Sequence, residues 1–307
     1  MSLGVSDSDR VRRFVLEKHP IRGHAVRLAR SWLELREHQD YPPAVQKLVG
    51  EAVGAVVLLA ATLKFDGTLT LQLQGKGLVN LLVAQCTHDF KVRAMARHEA
   101  ITPTDAEGEP GFRALAGEGQ IVVTVEATDR ASSYQGVVPI TGDSLAESLE
   151  AYFLQSEQLP TRVLLSASAG VVAGMLVQRV PGVGGKQAQL DDTALDAAWQ
   201  KAEDAMSSIA GATLLKDDVE QRLVNMFGVD EVRVFSGHDV RFECRCSRER
   251  VANVLRSLGV DEVRSVIAEQ GACTVTCEFC RKPYEFDAID VEHLFDEAAP
   301  RGSNTIN

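Results

Sequence analysis

The sequence predicts an α+β fold in three parts: an N-terminal, mainly antiparallel domain with helices over residues 1–180, a helical linker over 181–231, and a small C-terminal zinc-binding module over 232–307. Three observations carry this reading. Short runs of alternating apolar and polar residues recur through the first 180 residues, a glycine-rich break follows at Pro181–Lys186, and five of the six cysteines fall between Cys244 and Cys280. At 307 residues, 45% of them hydrophobic, the chain exceeds what one core usually serves.

The elements follow in order. Ile21–Leu28 reads as a strand, and Tyr41-Pro42-Pro43 opens a helix, since proline is tolerated in a first turn. Apolar residues at 45, 48, 49, 52, 53, 56, 57 and 60 give that helix a stripe wide enough to be buried. Thr68–Gln74 alternates strictly, with Leu69, Leu71 and Leu73 inward; Gly75-Lys76-Gly77 turns the chain into a second strand, Leu78–Ala84. Further strands are expected at Lys91–Ala96, Gln120–Ala127 and Tyr134–Ile140, with a loop at Thr102–Gly111. Ser144-Leu145-Ala146-Glu147 has the form of a capping box opening a helix through Leu154, and strands at Arg162–Ser168 and Gly174–Val180 complete the domain.

Pro181-Gly182-Val183-Gly184-Gly185-Lys186 is superficially like a phosphate-binding loop. It lacks the required first glycine, Val180 standing there, and the Ser or Thr after the lysine, where Gln187 stands, so it reads as a linker. Helical spacing then joins Leu195, Trp199, Ala202, Met206 and Ile209, and next Val219, Leu223 and Phe227. The first of these helices is alanine-rich and buries little area against an ordering cost of roughly 1–2 kcal/mol per residue, so its folded state should depend on its neighbours. The last part reads as strands Val232–Phe235 and Val240–Glu243, a helix capped by Ser247, a second helix at Asp261–Glu269, a hairpin carrying Cys277 and Cys280, and a closing segment Ile289–Phe295.

A formal charge of −11 argues against nucleic acid or an anionic membrane surface as partner. The N-terminus is polar, and the most apolar run, Ala52–Leu63, spans twelve residues between Glu51 and Lys64, so neither export nor membrane spanning is expected. Clustered cysteines without an export signal point to metal or redox chemistry in a reducing compartment, the cytoplasm by default.

Cys244-Arg245-Cys246 and Cys277-Glu278-Phe279-Cys280 are separated by thirty residues, 247–276. Two close pairs suit a tetrahedral four-thiolate zinc site, each pair spanning one edge. Several readings stand at this point. A structural zinc ribbon for partner binding is the plainest, its metal contributing on the order of 10–16 kcal/mol to folding. A catalytic zinc fits poorly, because four thiolates leave no open position, and a thioredoxin-like site lacks the βαβ context. A switch uses the spacing itself, for each pair is close enough to oxidise internally and release the metal. Arg245, Arg248 and Arg250 are expected to favour thiolate at the first pair. Cys273 is a substitute ligand, a resolving thiol or a small buried residue, the last two being favoured; Cys86 reads as core. The histidines His88, His98, His238 and His293 are scattered and add no ligand pattern.

The chain also resembles the 33-kDa heat-shock protein family of bacteria, the redox-regulated holdase chaperones. The resemblance rests on Asp40-Tyr41-Pro42, Ala61-Thr62-Leu63-Lys64-Phe65-Asp66-Gly67, Gln72-Leu73-Gln74-Gly75, Tyr134-Gln135-Gly136-Val137-Val138, Ser156-Glu157-Gln158-Leu159-Pro160-Thr161 and Cys244-x-Cys246-Ser247-Arg248-Glu249 with Cys277-x2-Cys280. It implies that Cys244, Cys246, Cys277 and Cys280 hold one zinc per chain in a reduced, inactive protein. It further implies disulfides Cys244–Cys246 and Cys277–Cys280 on oxidation, with zinc release, unfolding of the module and linker, dimerisation, and ATP-independent holding of unfolding client proteins rather than enzymatic turnover. Cys273 departs from the four-cysteine pattern.

Overall fold

A computed structural model describes residues 9–101, 109–129, 133–180, 192–216, 218–228 and 231–296. The chain divides into two compact units, Met1–Glu243 and Cys244–Asn307. The first is α+β, as predicted, and is built on two sheets. One contains β1 (Arg10–Leu16), β2 (Ile21–Leu28), β8 (Thr161–Ala167), β9 (Val172–Arg179) and β10 (Val232–Val234) in the order β10-β1-β2-β9-β8, with β11 (His238–Asp239) also pairing with β1. The other contains β3 (Gly67–Gly75), β4 (Val79–Thr87), β5 (Lys91–His98), β6 (Gly119–Ala127), β7 (Tyr134–Pro139) and β12 (Arg241–Phe242) in the order β12-β5-β4-β3-β6-β7. All pairings are antiparallel except β12 with β5.

Helix α2 (Pro43–Thr62) packs against strands of both sheets. Its sequence is apolar nearly all round, and residues on every face, Val45 through Ala60, are buried, which is what a helix enclosed on all sides requires. Fourteen of its residues leave water in this way. The stripe read from the sequence is thus one face of a helix whose exposed residues, Pro43 and Lys47, are confined to its first turns. α2 is long and apolar enough to cross a membrane, but 78% of its apolar window is buried inside the fold. Gly50 lets the helix approach closely: a Cβ there would lie 2.6 Å from Ala167 Cβ and 3.1 Å from the Trp32 ring. Trp32, on α1 (Arg30–Arg36), is tied by its indole N–H to the Ser168 carbonyl at 2.9 Å.

The second face of the β1-β2-β9 sheet is covered by helices. Phe14, Leu16, Ile21, Ala25, Met175 and Val177 pack against Ala198, Ala202 and Met206 of α5 (Asp192–Ser207) and Val219, Leu223 and Phe227 of α7 (Val219–Phe227), with α6 (Gly211–Lys216) between them in the chain. The stripe predicted on α7 is the face that makes this layer, whereas on α5 only Trp199, Ala202 and Met206 of the predicted stripe take part, joined by Ala198; Leu195 is not in the layer and Ile209 lies beyond the helix, which ends at Ser207. The glycine-rich break Pro181–Lys186 and the loop at 102–108 lie outside the described residues. The strands expected between residues 232 and 243 are present and pair with β1 and β5, so the compact unit runs to Glu243, past residue 231 where the sequence reading ends its linker.

Elements not predicted include β1, α1, the short α3 (Phe112–Ala116), α6 and β11. In β1 the buried residues Val11, Phe14 and Leu16 are spaced irregularly among arginines, which hides the two-residue period. The capping box is half-formed. The Ser144 hydroxyl accepts from Glu147 N at 3.1 Å at the start of α4 (Leu145–Tyr152), whereas the Glu147 carboxylate accepts from Asp143 N at 2.7 Å, one residue before the cap. The helix then widens into a π turn over Phe153–Glu157 and stops at Gln158, whose φ of 55° no helix can continue. Cys86, on β4, is fully buried, as expected.

Candidate metal centre

The second unit packs α8 (Arg248–Leu258), α9 (Val260–Gln270), the hairpin β13 (Cys273–Thr276) and β14 (Pro283–Phe286), and α10 (Ala288–Asp296) around a small core that includes Val251, Leu255, Val263, Tyr284, Phe286 and Leu294. Ser247 caps α8 as predicted, its hydroxyl accepting from Arg250 N at 3.2 Å. That cap fixes the chain direction immediately after Cys244-Arg245-Cys246. The second pair sits on the hairpin turn. Cys277 N donates to Lys282 O at 3.0 Å and Arg281 N donates to Cys277 O at 2.8 Å, with Arg281 at a φ of 55°, so the turn is tied on both sides of Cys280.

These two anchors bring the sulfurs of Cys244, Cys246, Cys277 and Cys280 within 4.8 Å of one another. Two contacts run between the pairs, Cys244 to Cys277 at 3.7 Å and Cys246 to Cys280 at 3.4 Å. All four are free thiols and only partly buried. Sulfurs about 2.3 Å from a central ion at tetrahedral angles lie roughly 3.8 Å apart, so this donor set fits a metal of the zinc class. Cys273 is not in the group; its side chain points into the core of the unit, 7% exposed. His238 and His293 do not join it either.

The thiols are electrostatically unequal. Burial raises Cys244, and the thiols of Cys280 and Cys246 add to that rise. Burial also opposes ionisation of Cys246, but the Tyr284 hydroxyl and the other three thiols outweigh it and bring Cys246 down to about 7. Tyr284 donates to Cys246 Sγ at 3.0 Å while its ring lies in the core, so it both packs the unit and steadies one sulfur. Sequence reading missed this residue, although its place one position into the strand after the second pair is the available signal. Two of the three arginines expected to favour thiolate at the first pair are engaged elsewhere. Arg248 bonds Asp290 Oδ2 and Glu285 O, each at 2.6 Å, and lies 4.2 Å over the Phe286 ring, while Arg250 bonds the Arg245 carbonyl. The latter two therefore brace the fold around the thiols.

Fold and site together define a two-unit α+β protein whose C-terminal unit carries a cluster of four thiols that could hold a metal ion. The chain belongs to the Hsp33 family of chaperones: the family model described as Hsp33 protein matches residues 9–287. The 33 kDa chaperonin of Chromobacterium violaceum is 39% identical over 296 residues, 96% of either chain. That of Pseudomonas paraeruginosa is 40% identical over 300 residues, covering 97% of this chain and 98% of the relative. The crystal structure of the 33 kDa chaperonin, or heat shock protein 33 homolog, from Thermotoga maritima shares the fold with a TM-score of 0.79 at 23% identity, covering 94% of this chain and 99% of that one.

Proposed function

We propose that this protein is a redox-regulated, ATP-independent holdase of the cytoplasm, with no enzymatic activity, whose four cysteines hold one zinc in the reduced, inactive state. The observation that carries the proposal is the thiol cluster itself: four free cysteines, from two close pairs, gathered within 4.8 Å in a member of a chaperone family. Bound zinc would keep the four sulfurs as thiolates and link the loop before α8 to the β13–β14 turn.

Oxidation reverses that link. In each pair, Cys244 with Cys246 and Cys277 with Cys280, the two thiolates give two electrons to a peroxide, which takes two protons from the solvent and leaves as two waters, and one S–S bond forms; a bound zinc, left without thiolates, would be released as the divalent ion. The new bonds close loops of three and four residues, which constrain the unfolded chain far less than a cross-link spanning the hairpin and α8–α9. The second unit, with its small core, then loosens.

Residues 181–231 are assigned the linker role. The α5 contact buries Ala198 and Ala202 where α7 buries Val219, Leu223 and Phe227, so it holds the layer over β1-β2-β9 with less apolar area per residue, and release of α5 and α7 uncovers Phe14, Leu16, Ile21, Met175 and Val177. That apolar face is the surface offered to unfolding client proteins, with dimerisation in the oxidised state. Neither nucleic acid nor membrane is a partner in this reading.

The test is zinc release measured together with suppression of client aggregation during peroxide treatment with mild heat. Release of about one zinc per chain with concurrent onset of holdase activity is expected. Equal activity of the reduced, zinc-loaded protein would overturn the switch.

A further inference from the structure

The first unit contains a second site of a different kind. A cavity of about 280 Å³ opens between β1 and β2, the C-terminal end of α2 and the residues joining β10 to β11. At its base lies His24, on β2, only 6% exposed, and its Nδ1 is buried without a hydrogen-bond partner. A polar atom left unpaired in a folded interior costs roughly 1–3 kcal/mol, and one that borders a cavity is met by whatever fills it.

The rim is basic. Arg13, Lys64, His88 and His238, all exposed, line the cavity around His24, and no Asp or Glu is among the lining residues, in a chain whose formal charge is −11. Among the described residues neither Arg13 nor Lys64 pairs with a carboxylate. Outside the lining, Asp66 lies 3.2 Å from His88 Nδ1, which also accepts from Gly67 N at 3.3 Å, so the full charges on the rim are those of Arg13 and Lys64. Apolar walls, including Val11, Ala60 and Phe90, lower the local dielectric, and Phe90 stacks on the His238 ring at 4.9 Å. Arg13 is held in place over Phe235, 5.3 Å from the ring centre.

We propose that this cavity binds a phosphate group, either as the free ion or as the end of a small phosphorylated molecule, with His24 Nδ1–H as the buried donor and Arg13 and Lys64 supplying charge. Two cationic side chains, Arg13 on β1 and Lys64 in the segment after α2, flank a buried neutral N–H donor, and that set suits a multiply charged tetrahedral oxyanion better than a single carboxylate. Burial, with Arg22, Arg13 and His238 adding to it, pushes His24 down to about 4, so the imidazole is neutral near pH 7 and brings a directed N–H without a charge to desolvate. A metal is the wrong occupant: the three histidines do not converge as ligands, and their neighbours are positive. The site lies in the first compact unit and is independent of the redox reading.

Isothermal titration of the full-length reduced protein with inorganic phosphate, at constant ionic strength and against a chloride control, tests it. A parallel arm uses glycerol phosphate. Saturable binding of one phosphate group per chain is expected, absent with chloride, and weakened at least tenfold in Arg13→Gln and in His24→Phe. Tighter binding of glycerol phosphate identifies a phosphorylated molecule as the ligand, and equal or weaker binding the free ion. Should His24→Phe fail to fold, Lys64→Gln carries the same comparison. Arg233→Gln, outside this cavity, should bind as the parent does. Absence of saturable binding, or binding undiminished in both Arg13→Gln and Lys64→Gln, overturns the proposal.

Discussion

The hydroxyl of Tyr284 donates to the sulfur of Cys246 across 3.0 Å, a directed bond from the small core of the second unit to its candidate metal centre. The ring is 93% buried by the same residues that pack α8, α9 and α10, so the hydroxyl cannot turn away without moving the core. A donor held this rigidly favours the charged form of the sulfur it meets.

Tyr284→Phe keeps the ring and removes the donor. Partners that support metal ligands typically carry 10- to 100-fold in affinity, so zinc affinity should fall by about tenfold with little loss of fold. Chelator competition measures it. An unchanged competition curve would show that the hydroxyl does no more than pack.

The cysteines separate by role. Cys244→Ser removes a ligand, and the reduced protein should lose most of its zinc and melt earlier through the second unit, even without oxidant. Cys273→Ser places a hydroxyl in the core, costing about 1–2 kcal/mol, yet should leave one zinc per chain. Metal content by atomic absorption distinguishes the two, and loss of zinc from Cys273→Ser would make that residue a ligand.

Glu51, on α2, gives a dependence on pH. Burial raises its carboxyl to about 7, with Lys47 partly opposing. Because the folded value lies above the ordinary 4.5, the folded state binds the extra proton between those values. The stabilisation is complete below about pH 4.5 and is lost as pH rises through 7, at up to about 1.4 kcal/mol per pH unit. His24 acts with the opposite sign, its stabilisation present above 6.5 and lost as pH falls toward 4, so in the parent protein the two slopes nearly cancel between pH 4.5 and 6.5. Glu51→Gln isolates the carboxylate. Urea unfolding should place it near the parent at pH 4.5 and about 1–3 kcal/mol above it at pH 8. A difference independent of pH would refute the assignment.

The sequence by itself determined the class of fold, the positions of most elements and the four candidate ligands. Strict alternation in Thr68–Gln74, the apolar stripe of α2 and the two cysteine pairs are local patterns, each set by the period of its own segment and readable without knowledge of its neighbours. The elements that escaped were those whose pattern is not local. β1 is a strand because β2, β10 and β11 complete its hydrogen bonds, and α2 is buried on every face because a sheet lies on either side. Tertiary structure alone decided that Cys244 meets Cys277 and Cys246 meets Cys280 across the two pairs, that Tyr284 reaches Cys246 and that Cys273 turns inward. It also decided that the charges of Arg248 and Arg250 are spent on Asp290 and a backbone carbonyl. Spacing along a chain limits which groups can meet; only the packed core, which leaves each side chain one place to lie, selects which of them do.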